Sequence, residues 1–174
     1  MEFWWIQLVG FLAFAISSFS YQFKDQKTMF GYRVFSDALW AFHYFLLGAS
    51  VPALTVMIAV LRSGLAVFAF PKHKLTIIIL SIFAVWLICF YLGKSGWQSY
   101  LPLLGSIIYG TSTYYYDNYT ISRILMALGF VVWVCIGFLF NSYAEIISSS
   151  IGFISILIGF YRHKRIKKLP QPHA

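Results

Sequence analysis

The chain has 174 residues, of which 60% are hydrophobic and 10% charged, with a formal net charge of +8. That balance excludes a water-soluble domain, in which about a quarter of the residues are charged and far less apolar surface needs hiding. The positive charges lie between apolar blocks rather than on one basic face, so membrane topology accounts for them and nucleic acid is not an expected partner.

A spanning helix needs about 20 mostly apolar residues. Seven such runs are predicted, near 3–22, 30–48, 52–70, 75–93, 97–115, 121–140 and 143–161. The first follows Met1-Glu2, with no basic segment ahead and no small-residue cleavage pattern behind, so it is expected to remain as a span rather than leave as a signal peptide. Lys24-Asp25-Gln26-Lys27 separates it from the second run, which carries Asp37, Trp40, His43 and Tyr44. Ala49-Ser50-Val51-Pro52 opens the third, which carries Arg62. Pro71-Lys72-His73-Lys74 precedes the fourth and Gly93-Lys94-Ser95-Gly96 the fifth. Asp117-Asn118 and Asn141-Ser142 delimit the sixth, and Glu145 opens the seventh. None of the runs alternates at period two, which excludes a membrane β-barrel. Cys89 and Cys135 are too few for a disulfide framework and are expected as small buried apolar residues.

With seven spans, one side of the membrane receives Lys24, Lys27, Arg33, Lys72, Lys74, Arg123, Arg162, Lys164, Arg165, Lys167 and Lys168, while the other receives only Lys94. Cytoplasmic loops carry such an excess. The expected topology is a multi-pass protein of a bacterial inner membrane, amino terminus in the periplasm and carboxyl terminus in the cytoplasm. The basic tail, Arg162 to Lys168, reads as a stop-transfer anchor in preference to a binder of anionic lipid heads.

Spans one to three and five to seven look alike when shifted by about 90 residues: Lys24 to Thr28 falls on Tyr116 to Thr120, Ser50 on Ser142, and Ser63 on Ser155. An odd-numbered repeat copied directly would insert upside down, and one extra span restores its orientation. The expected fold is all-α, with seven transmembrane helices as two parallel triple-helix repeats plus one linker helix (3+1+3). The boundaries are 1–72 for the first repeat, 73–95 for the linker, 96–163 for the second repeat and 164–174 for the basic tail.

Ala41-Phe42-His43-Tyr44-Phe45-Leu46-Leu47-Gly48, followed by Leu61-Arg62-Ser63, resembles the first half of the YgjV-type bacterial inner membrane proteins. Ile121-Ser122-Arg123, Trp133-Val134 and Glu145 resemble their second half, so the likeness covers nearly the whole chain. That family is similar in layout to the SWEET, PQ-loop and nicotinamide-riboside-type transporters, which implies transport. PQ-loop proteins carry Pro-Gln near the end of the first span of each repeat. This chain has Tyr21-Gln22 and Thr113-Tyr114 there, so the hinge proline is missing.

Ionisable residues within spans are the main pointers to function, because each costs about 2.5–3.5 kcal/mol at the bilayer centre on insertion scales. Asp37 and Arg62 reach similar depth on adjacent antiparallel spans, so a mutual ion pair is expected, either as a lock between spans or as a polar site. His43 suits a helix–helix hydrogen bond or a proton relay. It is six residues from Asp37 and so on a different face. Trp40 and Tyr44 suit packing or the wall of a cavity. Glu145, expected near the outer surface, suits the positive end of its helix or a gate. Ser148-Ser149-Ser150, Gly152, Ser17 and Ser18 allow close helix approach or line a polar path. Asn118-Tyr119-Thr120 spells a glycosylation sequon on the predicted cytoplasmic side and is set aside. His43 and His73 have no second ligand at helical spacing, and no nucleophile elbow or paired acids occur; no metal, cofactor or enzymatic activity is expected. The candidate substrate-binding set is Asp37, Trp40, His43, Tyr44, Arg62 and Glu145. The expected function is transport of a small polar solute, and the alternative is a non-transporting partner or assembly factor. The expected partners are the lipid bilayer and that solute, with a homo-oligomer left open.

Overall fold

The computed structural model describes residues 2–20, 26–65, 71–93, 96–115 and 118–166. Within them the chain forms seven α-helices: α1 (Glu2–Ser20), α2 (Gln26–Leu46), α3 (Ser50–Gly64), α4 (Lys74–Leu92), α5 (Leu101–Tyr114), α6 (Tyr119–Leu139) and α7 (Tyr143–Ile166). Short 3-10 turns, Pro71–His73 and Gly96–Tyr100, lead into α4 and α5. Among the described residues, prolines stay out of helix interiors. Pro52 and Pro102 sit in first turns, where the missing N–H has no partner to lose. Among the described residues no strand is present.

Helices α1, α4, α6 and α7 are each long and apolar enough to cross a membrane. Helix α2 has 21 residues and is diluted by its charges. The seven expected spans each fall on one of these helices, with shifted ends: α5 starts at Leu101 rather than residue 97, behind a 3-10 turn, and α7 runs on to Ile166 rather than stopping at 161. Helix α2 starts at Gln26 rather than residue 30, so the first break is shorter than expected; Lys24, Asp25 and the Tyr21-Gln22 pair lie outside the described residues. Lys94, Asp117 and residues 167–174 of the basic tail also lie outside them.

Short links make consecutive helices antiparallel. Each packs on the next along the chain, and α7 returns to α1, closing a ring; α3 also touches α5. The interior is built from Ala13, Trp40, Tyr44, Trp133 and Ile136. The outer surface is oily, with Trp4, Trp5, Phe45, Phe90, Tyr91, Trp97, Phe138 and Tyr161 all exposed. Lipid is the solvent that suits such a surface, and aromatic rings near helix ends suit the membrane interface. Cys89 is buried as expected, but Cys135 is exposed. It stands on the outer face of α6, where a small thiol meets lipid at little cost.

Two hairpins share one turn. Helices α2 and α6 begin at Gln26 and Tyr119, and α3 and α7 at Ser50 and Tyr143, an offset of 93 in both cases. In the first turn, Leu47, Gly48 and Ala49 N–H groups donate to the carbonyls of His43, Phe45 and Tyr44. In the second, Phe140, Asn141 and Ser142 donate to those of Ile136, Phe138 and Gly137, the same bonds 93 residues on. Both turns close with the second residue after the helix in the left-handed region, Gly48 at φ 72° and Asn141 at φ 52°. This is the Schellman arrangement. Its register is 93, one more than the alignment of Ser50 with Ser142. Ser142 therefore matches Ala49, Ser155 matches Arg62, and Trp133 matches Trp40.

Candidate functional site

A polar seam crosses the apolar interior, drawn from α1, α2, α3, α5 and α7. Its first part is a clamp on the α6–α7 turn. The Gln7 side chain on α1 donates from Nε2 to the Asn141 carbonyl at 3.0 Å and accepts the Ala144 N–H on Oε1 at 3.2 Å. His43 on α2 lies 2.8 Å through Nδ1 from the Ile6 carbonyl and 2.7 Å through Nε2 from the Ser142 hydroxyl. A carbonyl only accepts, so Nδ1 carries the hydrogen, and in the neutral ring Nε2 accepts from Ser142. Ser142 in turn accepts the Glu145 N–H at 3.2 Å, which caps the first turn of α7. Gly10 makes this junction fit: a Cβ there would meet Ala144 Cβ at 2.6 Å and the His43 ring at 3.0 Å.

The second part is charged. Asp37, twelfth residue of α2, is partly buried, and Arg62, thirteenth of α3, is 7% exposed. At 1.5 Å per residue each lies about 16–18 Å along its helix, near mid-depth. Asp37 interacts electrostatically with Arg33, one turn away on its own helix, and with Arg62. The expected mutual ion pair is not made as a direct contact: Arg62 acts on Asp37 through electrostatics alone, and Arg33 does so more strongly. Arg62 also donates from Nη1 to the Ser106 carbonyl on α5 at 3.5 Å, against the side that Gly110 leaves open.

Glu145, third residue of α7, stands at the end of its helix but is packed against its neighbours there, 7% exposed. The α6–α7 turn is folded in against Gln7 and His43, which carries the first turn of α7 into the interior. Ser149 donates to the Glu145 carboxylate, and the Tyr44 hydroxyl faces it. Asp37 also acts on Glu145 electrostatically. Two fully buried hydroxyls in this seam, Tyr44 Oη and Ser106 Oγ, lack a partner in hydrogen-bond geometry. Trp40 packs edge-on against His43 at 5.5 Å, and Tyr44 lies between Trp40 and Trp133 at 6.4 and 5.8 Å.

Of the six residues that the sequence offers for substrate binding, Asp37, Arg62 and Glu145 thus share one electrostatic cluster, and Trp40, His43 and Tyr44 one ring cluster. Gln7, Ser106 and Ser142 escape sequence reasoning. A single amide in an apolar run is a usable signal for Gln7; two serines among many carry none. Two grooves of about 360 and 170 Å³ open on the outer surface, one lined by Thr28, Gly31, Tyr32 and Phe35, the other by α2 and α3 residues from Ala38 to Met57. Neither is lined by a candidate residue. No cluster of three or more His, Cys, Asp or Glu side chains suited to a metal occurs among the described residues. Asn118, the sequon residue, caps α6 by accepting the Ile121 N–H at 3.1 Å.

Seven apolar helices with an oily exterior and a thin buried polar seam define an α-helical integral membrane protein. The chain belongs to the bacterial inner membrane protein family Imp-YgjV, whose model matches residues 4–167. No curated protein and no solved structure gives a significant match.

Proposed function

We propose that the protein transports a small polar solute through a site at mid-depth between α2, α3, α5 and α7. The observation that carries this reading is the burial of Arg62 on α3 and Glu145 on α7, each 7% exposed, with Asp37 on α2 acting on both. Ionisable groups inside a membrane are costly and mark substrate or ion pathways by default. The repeated hairpins support it further, as does the resemblance of the expected 3+1+3 layout to that of SWEET, PQ-loop and nicotinamide-riboside-type transporters. In this reading residues 1–72 and 96–163 are two units that move about 73–95, with the basic end in the cytoplasm and the amino terminus in the periplasm. Uptake of a solute panel into liposomes holding the purified protein tests it. One solute should enter faster than into empty vesicles, and Asp37→Asn should abolish the difference. If no solute moves, and Asp37→Asn with Arg62→Met leaves folding and cell phenotype intact, transport is the wrong reading. A reporter fused after Ala174 checks the orientation and should be active only in the cytoplasm.

A second reading, a non-transporting partner of another membrane protein, is favoured by one feature: both grooves open outward and neither reaches the charges. It predicts that Asp37 and Arg62 affect stability alone and that one protein co-purifies consistently in mild detergent.

A further inference from the structure

The charged seam is arranged by sign. Arg33 and Arg62 lie within electrostatic range of each other, so two guanidinium groups repel across the α2–α3 contact. Asp37 and Glu145 likewise repel between α2 and α7. Asp37 stands between the two pairs and is the acid that acts on Arg62. Each pole also holds an unused hydroxyl. Ser106 Oγ, 4% exposed and without a hydrogen bond, sits on the α5 turn whose carbonyl receives Arg62. Tyr44 Oη, equally unpartnered and fully buried, faces Glu145. Buried hydroxyls without partners are rare, because each forfeits the hydrogen bonds that water would give it.

From these two poles we infer that the solute is a small zwitterion, its anionic group received by Arg62 and Ser106 and its cationic group by Glu145 and Tyr44. This deepens the transport reading and rests on it for the word solute. The chemistry is complementary at both ends. Arg offers a planar fork of donors to a carboxylate or phosphate, and Ser106 adds one more donor. Glu145 and the Tyr44 oxygen offer acceptors to an ammonium, with Trp40 and Trp133 as flanking rings. A molecule with one charge would engage only one of the two poles.

The test uses the purified full chain in detergent and straight-chain ω-amino acids from glycine to 6-aminohexanoate. Matched carboxylates (acetate to hexanoate) and amines (methylamine to hexylamine) serve as controls. One amino-acid length should raise Tm by about 3–6 °C well above its Kd, with little shift from the matched acid or amine. Arg62→Met and Glu145→Gln should abolish the shift. Ser106→Ala and Tyr44→Phe keep the proposal falsifiable if those variants fold poorly. Because Ser106 Oγ has no bond, Ser106→Ala should leave the ligand-free Tm in place; Tyr44→Phe, which removes the hydroxyl facing Glu145, is read against its own ligand-free Tm, and each should weaken binding about tenfold. Equal shifts from the acid or the amine alone, no shift across the series, or unchanged binding by both hydroxyl variants would overturn it. Uptake assays separate the two ideas. Binding without uptake removes transport and keeps the site; uptake of another solute without amino-acid binding does the reverse.

Discussion

The hairpins α2–α3 and α6–α7 have the same backbone and opposite chemistry. Their turns close with the same hydrogen bonds 93 residues apart, and Trp40 and Trp133 occupy matching places in the core. Yet the positions of Arg33, Asp37 and His43 on α2 are filled on α6 by Met126, Phe130 and Ile136. The carboxylate appears instead on α7, at Glu145, where α3 has Pro52. Backbone geometry is thus set by hydrogen bonds and apolar packing that many residues satisfy. The charges are extra, placed at a cost of a few kcal/mol each, and their asymmetry between the hairpins is where function is to be sought.

The largest effect should come from breaking the charged cluster on one side only. Asp37→Asn alone leaves Arg62 without its acid in a low-dielectric interior and should destabilise by about 3–5 kcal/mol, read by thermal unfolding in detergent; Arg62→Met, which leaves Asp37 with Arg33, should cost less. The double variant should lose much less than the two singles together. Additive losses would show that the residues do not act on each other, and the contrast between the hairpins would lose its energetic meaning.

Next is the junction that ties the second turn to α1 and α2. Gly10→Ala forces a methyl against Ala144 and the His43 ring and should cost about 1–3 kcal/mol. Gly31→Ala on α2 has open space and should be neutral or slightly stabilising. Ser142→Ala removes both the α7 cap and the partner of His43, for about 1–3 kcal/mol. In a His43→Leu background the same change should cost only the cap, about 1 kcal/mol. Equal costs in both backgrounds would mean that the ring and the hydroxyl are not coupled.

Much of this is legible in the sequence. Run length and the placement of lysine and arginine between runs mark the seven helices, since lipid demands continuous apolar segments. Depth arithmetic brings Asp37 and Arg62 level, because both sit on regular helices of known rise. The repeat register is harder to read. Scattered serines suggest a value one residue short, whereas the features that truly match are a backbone conformation at Gly48 and Asn141 and a tryptophan at 40 and 133. Left-handed geometry leaves an obvious mark when the residue is glycine and a faint one when it is asparagine. Glu145 looks like a surface residue in the sequence because its neighbours Asn141 and Ser142 look like a solvent turn. Gln7 and His43 occupy their polar groups, and no local pattern reports a partner about a hundred residues away.

The finest distinction between the hairpins is the left-handed residue itself. An ordinary L-residue costs about 1–2 kcal/mol in that region; glycine has no penalty and asparagine a reduced one. Asn141 should therefore be slightly strained where Gly48 is not. The hydrogen bonds that fix it, from its N–H to Phe138 and from Gln7 to its carbonyl, are made by backbone groups that glycine keeps. Asn141→Gly should thus raise stability by a few tenths of a kcal/mol and Gly48→Asn lower it by a similar amount, with the swapped double variant near wild type. Unfolding temperatures of the three variants measure this. A loss of more than about 1 kcal/mol in Asn141→Gly would mean that its amide side chain holds something the first hairpin lacks, and that the two turns are equivalent in shape alone.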